Sequence, residues 1–108
     1  MWIENDSMMD ILHSPFYDGV PRSLECPSCG EHHVHVLMHR HDADTSKGTA
    51  WIWCDACHGY AHLACKIPIW WENPPFLDEE KLDSTVEYPN SICKEVDAWM
   101  VTCLKARC

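Results

Sequence analysis

Hydrophobic and polar positions alternate most regularly over residues 33–41, in the stretch HVHVLMHRH. Val34, Val36 and Met38 fall on one side of this two-residue period, while the four histidines and Leu37 fall on the other. Such alternation is typical of a β-strand with one buried face. The stretches TAWIWC and YAHLAC follow it and predict two further strands. We therefore expect a three-stranded antiparallel sheet whose first two strands form a hairpin.

Two segments outside this sheet have helical patterns. SMMDILH predicts a short N-terminal helix, because Asp6 is a favourable N-cap and Pro15 limits the helix beyond it. Residues 91–107 predict an amphipathic C-terminal helix, with Ser91 as its cap. The apolar stripe of that helix has a period near 3.6 and consists of Ile92, Val96, Trp99, Met100, Cys103 and Leu104.

The chain has 108 residues, a length typical of one domain. We expect a small α+β domain in four consecutive parts. These are an N-terminal helix and connection (1–23), a metal-binding β region (24–65), an acidic loop rich in Pro and Trp (66–90), and the C-terminal helix (91–107). The loop contains four prolines and little periodicity, and a connection of this length is usually functional.

Eight cysteines are the most informative part of the composition. Four of them form two CxxC turns, Cys26/Cys29 and Cys54/Cys57, which are separated by 24 residues. The predicted hairpin would bring the two turns together, and four sulfurs in a tetrahedron are a typical structural Zn²⁺ site. The sequence thus predicts a domain that one structural Zn²⁺ holds together. Disulfides and unliganded thiols are the alternatives.

The CPSCG turn, the hairpin and the second CxxC together resemble the zinc ribbon superfamily. The resemblance covers residues 24–65. It implies a rubredoxin-like fold with a structural metal. It does not imply one function, because ribbons occur in transcription factors, ribosomal proteins, enzymes and adaptors.

The sequence CDACH, residues 54–58, allows two other interpretations. It matches a motif for covalent haem attachment, which occurs on exported chains and is disfavoured here because no export signal is visible. It is also similar to the closing motif of HNH-type metal-finger nucleases, in which His33 would be the general base and His58 a metal ligand. However, no Asn lies between His33 and Cys57, where that family has its middle residue.

The remaining histidines and cysteines leave several possibilities open. The histidines of the first strand predict a polar, partly exposed sheet face, a second metal site with His62 or Cys65, or a pH-sensitive contact surface. We expect Cys93 and Cys103 to be small core residues and Cys108 to lie at a frayed end.

The formal net charge is −9, and residues 66–90 alone carry −4. Such a charge disfavours nucleic-acid binding, which depends on Lys and Arg neutralising phosphates, and favours a basic partner. The N-terminus has acidic residues at Glu4, Asp6 and Asp10 where a signal peptide would need basic ones. No apolar run has the roughly 18 residues of a membrane span. We therefore expect a cytoplasmic location and no membrane contact.

The acidic loop combines aromatic and acidic residues within a short stretch. Interface hot spots favour aromatic anchors, and an acidic rim selects a basic partner. We therefore predict a partner-binding surface made of Trp70, Trp71, Phe76, Asp78, Glu79 and Glu80. The alternative is that these aromatics fold over the ribbon as additional core.

No convincing nucleophile, acid–base pair or phosphate loop is visible, so the sequence favours a non-enzymatic protein-binding module. The whole chain also resembles small bacterial zinc-ribbon immunity proteins that are encoded beside secreted toxins. That resemblance implies an acidic inhibitor that docks on a basic toxin, such as a nuclease. The alternatives are a nucleic-acid-binding zinc ribbon with a role in transcription and, third, the HNH-type nuclease.

Overall fold

The computed structural model describes residues 1–13, 24–42 and 45–106, and the predicted connection after the N-terminal helix lies outside them, as does Cys108. The described elements, in chain order, are β1 (Ile3–Glu4), a 3-10 helix (Asp6–His13), β2 (Val34–Arg40), β3 (Lys47–Cys54), β4 (Gly59–Lys66), a 3-10 turn (Glu79–Lys81), α1 (Glu87–Ser91) and α2 (Cys93–Ala106).

The strands form one sheet in the order β1-β4-β3-β2. Strands β2, β3 and β4 are antiparallel neighbours, as the alternating stretches predict. β1 adds a fourth strand, which runs parallel to the start of β4 and pairs Ile3 with Gly59. The predicted three-stranded antiparallel sheet is therefore corrected to a mixed four-stranded sheet. A strand of two residues has no periodicity from which it could be predicted.

One face of the sheet is covered by the C-terminal half of the chain. The β2–β3 register places His35 opposite Trp53 and Leu37 opposite Trp51, so these four residues share this face. Asn90 accepts a 3.0 Å hydrogen bond from Trp53 Nε1. Because α2 and residues 67–90 lie over it, Leu37 is fully buried at the centre of this face. His33 and His41 are exposed while His35 and His39 are half-buried, which agrees with the predicted polar, partly exposed histidine face.

The opposite face is covered by the N-terminal segment. Val36, Met38 and Ile52 are fully buried there in one cluster with Met8 and Ile11. The last two residues lie in the predicted N-terminal helix, which is a 3-10 helix rather than an α-helix. Both faces of the central strands are thus inside the core.

The C-terminal region forms two helices where the sequence predicts one. The Ser91 hydroxyl donates to the carbonyl oxygen of Tyr88 over 2.6 Å, within α1, so Ser91 is not the N-cap of α2. Val96, Cys103 and Leu104 are buried, which confirms these three positions of the predicted apolar stripe.

The acidic loop is attached to the end of β2 through Arg40. Its guanidinium group donates hydrogen bonds to the carbonyl oxygens of Thr45, Pro68 and Trp71 over 3.1, 3.0 and 2.7 Å. The Asn73 side chain bonds both the N–H and the C=O of Arg40. These bonds position residues 68–73 against the sheet, where Trp70 and Trp71 are buried in the core while Ile69 remains 89% exposed.

Candidate metal centre

The first CxxC turn presents its sulfur atoms through backbone hydrogen bonds. The N–H of Gly30 donates to the carbonyl oxygen of Cys26 over 2.9 Å and closes the turn. The N–H groups of Ser28 and Cys29 both point at Cys26 Sγ over 3.4 Å. Gly30 has φ of +78°, a conformation that glycine adopts without steric cost.

The second CxxC turn repeats this geometry. The N–H of His58 donates to the carbonyl oxygen of Cys54 over 2.9 Å, and the N–H groups of Ala56 and Cys57 bond the Cys54 sulfur. The left-handed residue of this turn is His58, with φ of +63°. His58 occupies the position that corresponds to Gly30, one residue after the second cysteine of its turn.

The two turns bring four sulfur atoms together. All four Sγ atoms lie within 4.8 Å of one another, and the pairs Cys26–Cys57 and Cys29–Cys54 are each separated by 3.7 Å. Zinc–sulfur bonds of about 2.3 Å in a regular tetrahedron require sulfur–sulfur distances of about 3.8 Å. A disulfide requires about 2 Å, and all four cysteines are free thiols. The group is therefore positioned to bind one metal ion.

The pKa values of two of these thiols are consistent with a site that a cation would stabilise. Burial raises the pKa of Cys54 to about 12, although the N–H groups of Cys57 and Ala56 act against this. Burial also raises the pKa of Cys26, but the N–H groups of Cys29 and Ser28 outweigh it and the net shift is downward. Because only thiolates bind metal, binding would release protons, and the ion would supply the charge that the buried thiolates need.

A histidine connects the second turn to α2. The His35 side chain is 11% exposed, and its Nδ1 lies 2.8 Å from Asp97 Oδ1, while its Nε2 lies 2.8 Å from Asp55 Oδ2. Burial lowers the pKa of His35, but the two carboxylates outweigh burial and raise the pKa overall. An imidazolium can donate from both nitrogens, so its charged form suits this geometry. We call Asp55, His35 and Asp97 the Asp–His–Asp clamp.

The other histidines of this face also bond oxygen atoms rather than one another. His33 Nδ1 lies 3.1 Å from Asp55 Oδ1, His39 Nε2 lies 2.8 Å from Glu79 Oε1, and His41 Nε2 lies 2.9 Å from Thr49 Oγ1. His62 stacks on Trp51 instead. In residues 1–13, 24–42 and 45–106, the four cysteines are the single group with metal-binding geometry, so no second metal site with His62 or Cys65 is found there.

The two histidines of the nuclease hypothesis have separate surroundings. His33 bonds Asp55, whereas the exposed His58 has its Nδ1 3.3 Å from the carbonyl oxygen of Met1 and packs its ring on Trp2. Within the described part of the chain, the structure does not assemble them into a metal-binding group.

Three cysteines outside the two turns, Cys65, Cys93 and Cys103, are in the described part of the chain and lie at the core. Cys103 is buried and Cys93 is half-buried against the core. Burial raises the pKa of both thiols and of Cys65. These thiols are therefore poor nucleophiles at neutral pH.

The predicted partner-binding residues divide into two sets. Trp70 and Trp71 are only 8% and 1% exposed, so they belong to the core, and their prediction as surface anchors is corrected. Phe76 is 43% exposed, and the three acidic residues Asp78, Glu79 and Glu80 are exposed as well. Trp70 and Trp71 are buried because the Arg40 and Asn73 bonds position the loop across the sheet.

Trp99 is half-buried and packs against the core, as its place in the predicted apolar stripe implies, but its contact with the acidic loop was not predicted. The Phe76 and Trp99 rings meet edge to face with their centroids 6.3 Å apart, and Trp99 Nε1 donates to the carbonyl oxygen of Glu72 over 2.7 Å. We call the surface around this pair the acidic face. It is made of Glu72, Phe76, Asp78, Glu79, Glu80 and Trp99.

No family model, curated protein or solved structure matches this chain. Among the described residues, no helix has both the length and the apolar character needed to cross a membrane. The function is therefore argued from the metal-binding cysteines, the Asp–His–Asp clamp and the acidic face.

Proposed function

We propose that the four cysteines bind one Zn²⁺ ion with a structural role, in a ribbon of the zinc ribbon type. A set of four thiolates in tetrahedral arrangement selects Zn²⁺ over the harder divalent ions. Four protein ligands leave no open position for water or substrate, which is the distinction between structural and catalytic zinc. Cys29 is exposed, so an ion could reach the site from solvent.

We further propose that the protein is a non-enzymatic binding module that binds a basic protein through its acidic face. The observation that carries this proposal is the exposed Phe76 ring against Trp99, with the side chains of Asp78, Glu79 and Glu80 exposed beside it. A partly exposed aromatic pair with an acidic rim has the character of an interface hot spot. The carboxylates would favour Lys and Arg on the partner.

The acidic face has an ordered frame, which supports its use in recognition. The N–H of Asp78 donates to the Tyr88 hydroxyl over 2.8 Å, and Glu79 bonds His39 of β2. Side chains that are already positioned lose less conformational entropy when a partner binds. A basic toxin, in particular a nuclease that an immunity protein would inhibit, is the partner we propose.

The test is to identify the partner by co-purification from the source cells and to measure its affinity for matched variants. The double variant Phe76→Ala/Glu80→Lys removes an aromatic anchor and reverses one charge of the acidic face. Ile3→Ala/Glu4→Lys is the control, because it makes the equivalent changes at two exposed residues of β1, on the opposite edge of the sheet. We expect the first variant to weaken binding at least tenfold, since hot-spot truncations cost about 2 kcal/mol or more, and the control to change it little.

Three results would contradict this proposal. Equal loss in both double variants would mean that only net charge matters and that the acidic face is not the binding surface. Salt-sensitive binding to duplex or single-stranded nucleic acid would favour the nucleic-acid-binding ribbon, and metal-dependent cleavage that His33→Ala abolishes would favour the nuclease.

A further inference from the structure

The Asp–His–Asp clamp begins inside the metal-binding turn. Asp55 lies between Cys54 and Cys57, and its N–H donates to the carbonyl oxygen of His33 over 3.1 Å. Its two carboxylate oxygens bond different histidines, His33 and His35. The position of this carboxylate therefore depends on the conformation that the second turn adopts around its sulfurs.

The clamp ends on the helix that forms part of the acidic face. Asp97 lies on α2, and both of its carboxylate oxygens are within 2.9 Å of His35 Nδ1. Trp99 lies two residues further along and contacts Phe76 and the backbone of Glu72. A shift of α2 relative to β2 would therefore move Trp99 relative to the rest of the acidic face.

We infer that metal binding at the four cysteines and docking of α2 are energetically coupled through Asp55, His35 and Asp97, so that the acidic face is fully formed only in the metal-bound protein. The role of the acidic face in this inference rests on the proposed function, whereas the coupling between metal binding and α2 does not. Coupling between two sites is reciprocal. If metal binding stabilises the docked position of α2 through the clamp, then docking of α2 must raise the metal affinity by the same factor.

The geometry favours a specific connection over general stabilisation. His35 is the one residue in the described part of the chain that bonds a side chain of a metal-binding turn and a side chain of α2. Hydrogen-bond partners of metal ligands typically change metal affinity about 10- to 100-fold when they are removed. The clamp acts one step further from the ion, because it holds Asp55 within the second turn rather than a sulfur atom. Asp97 of α2 is thus a positioning residue for the four-cysteine site, which lies outside α2.

The experiment measures zinc affinity of the full chain by competition with a chelator, and follows Co²⁺ binding by its thiolate charge-transfer absorption. We expect Asp97→Ala to lower zinc affinity about tenfold. Glu79→Ala is the matched control, because it removes the equivalent carboxylate bond to His39 on the same sheet face without touching a metal-binding turn. It should leave zinc affinity within about twofold. Asp97→Asn gives a milder second variant if the first fails to fold.

A double-mutant cycle separates the clamp from a loss of stability. In a His35→Leu background, Asp97→Ala should have no further effect on zinc affinity, because the connection is already broken. Val96→Ala, which weakens the packing of α2 but leaves the clamp intact, should lower zinc affinity in the wild-type background and have little effect in the His35→Leu background, where α2 is no longer coupled to the site. If Asp97→Ala lowers zinc affinity equally in both backgrounds, or no more than Glu79→Ala does, the inference is wrong.

Hydrogen exchange and partner binding test the second half of the inference. Zinc-loaded Asp97→Ala should show faster amide exchange in α2 than zinc-loaded Glu79→Ala, and a weaker affinity for the basic partner than wild type. Unchanged exchange would overturn the coupling. Faster exchange with unchanged partner affinity would confirm the coupling and instead contradict the use of the acidic face, so the two failures are distinguishable.

Discussion

A single ring, that of His35, bonds two carboxylates that lie 42 residues apart in sequence, and its protonation determines how strongly it binds them. The pKa of His35 is raised above the ordinary histidine value, because the two carboxylates outweigh the effect of burial. A raised pKa in the folded state means that protonation favours folding. The stabilisation is therefore fully present below about pH 6.5, the usual value for an unfolded histidine, and it is lost as the pH rises through the folded-state pKa.

We predict that His35→Gln destabilises the protein at acidic to neutral pH and has a smaller effect at alkaline pH. A hydrogen bond to a charged group contributes about 1.5–3 kcal/mol, which is the size of loss expected below pH 6.5. The measurement is the free energy of unfolding of wild type and His35→Gln from pH 5.5 to 9. Because both proteins keep all four cysteines, the pH dependence of metal binding largely cancels in the difference.

His39→Gln is the control for this prediction, because it removes a similar bond from a histidine on the same face to a carboxylate, Glu79, that is exposed to solvent. Its destabilisation should be small, since exposed ion pairs contribute little to stability. A His35→Gln effect that grows with rising pH would contradict the sign derived above.

Some features of single residues could be predicted from the sequence, and others could not. The four cysteine ligands could be predicted, because a CxxC turn is a local motif with a fixed geometry. The clamp could not be predicted, because Asp55 and Asp97 bond His35 only after β2, β3 and α2 have packed. The burial of Trp70 and Trp71 was an alternative that the sequence left open, because the choice depends on hydrogen bonds that Arg40 makes to loop carbonyls.

At the scale of the elements, the first metal-binding turn has few apolar contacts to replace the ion, whereas Cys54 of the second turn is buried in the core. Cys26 packs against Met8 of the 3-10 helix, while the rest of the first turn is largely exposed. Binding energy at such a site is therefore expected to be folding energy.

We predict that Cys57→Ser, which removes one sulfur ligand, strongly lowers the melting temperature and the zinc content. Cys65→Ser should keep one zinc per chain and a cooperative melt, because Cys65 lies outside the cluster. Elemental analysis and calorimetry with and without a chelator provide the measurement. A cooperative melt of wild type that is unchanged by chelation would contradict a structural role for the metal.

The hairpin and the second helix could be predicted as elements because their periodicities extend over seven residues or more. β1 and α1 could not. β1 has two residues, and its pairing with β4 is determined by the position of the 3-10 helix rather than by its own pattern. α1 contains Pro89 and has five residues, too few for a hydrophobic stripe to be recognised.

At the scale of the whole molecule, charge is unevenly distributed. The chain carries −9 in total, yet Lys47 and Lys66 oppose each other at one end of the β3–β4 ladder and Arg40 ends β2 next to them. The acidic face lies on the loop and α2 instead. A basic partner would therefore be attracted by the net charge at long range and oriented by the local acidic face at short range.

The long-range and the short-range effect can be separated by the association and dissociation rates of two single variants. Glu80→Lys and Glu4→Lys both change the formal charge from −9 to −7, because an acidic residue becomes a basic one. If long-range attraction depends on net charge, both variants should slow association with the basic partner by a similar factor at low salt. Both effects should fade at high salt, as the Debye length falls from about 30 Å at 0.01 M to about 3 Å at 1 M.

Dissociation should distinguish the two variants, because it depends on contacts within the bound complex. Glu80 lies in the proposed acidic face, so Glu80→Lys should raise the dissociation rate several-fold, whereas Glu4→Lys on β1 should leave it unchanged. Surface-based kinetics over a range of salt concentrations measure both rates. Equal dissociation rates for the two variants would mean that the partner contacts some other surface, even if association follows the net charge.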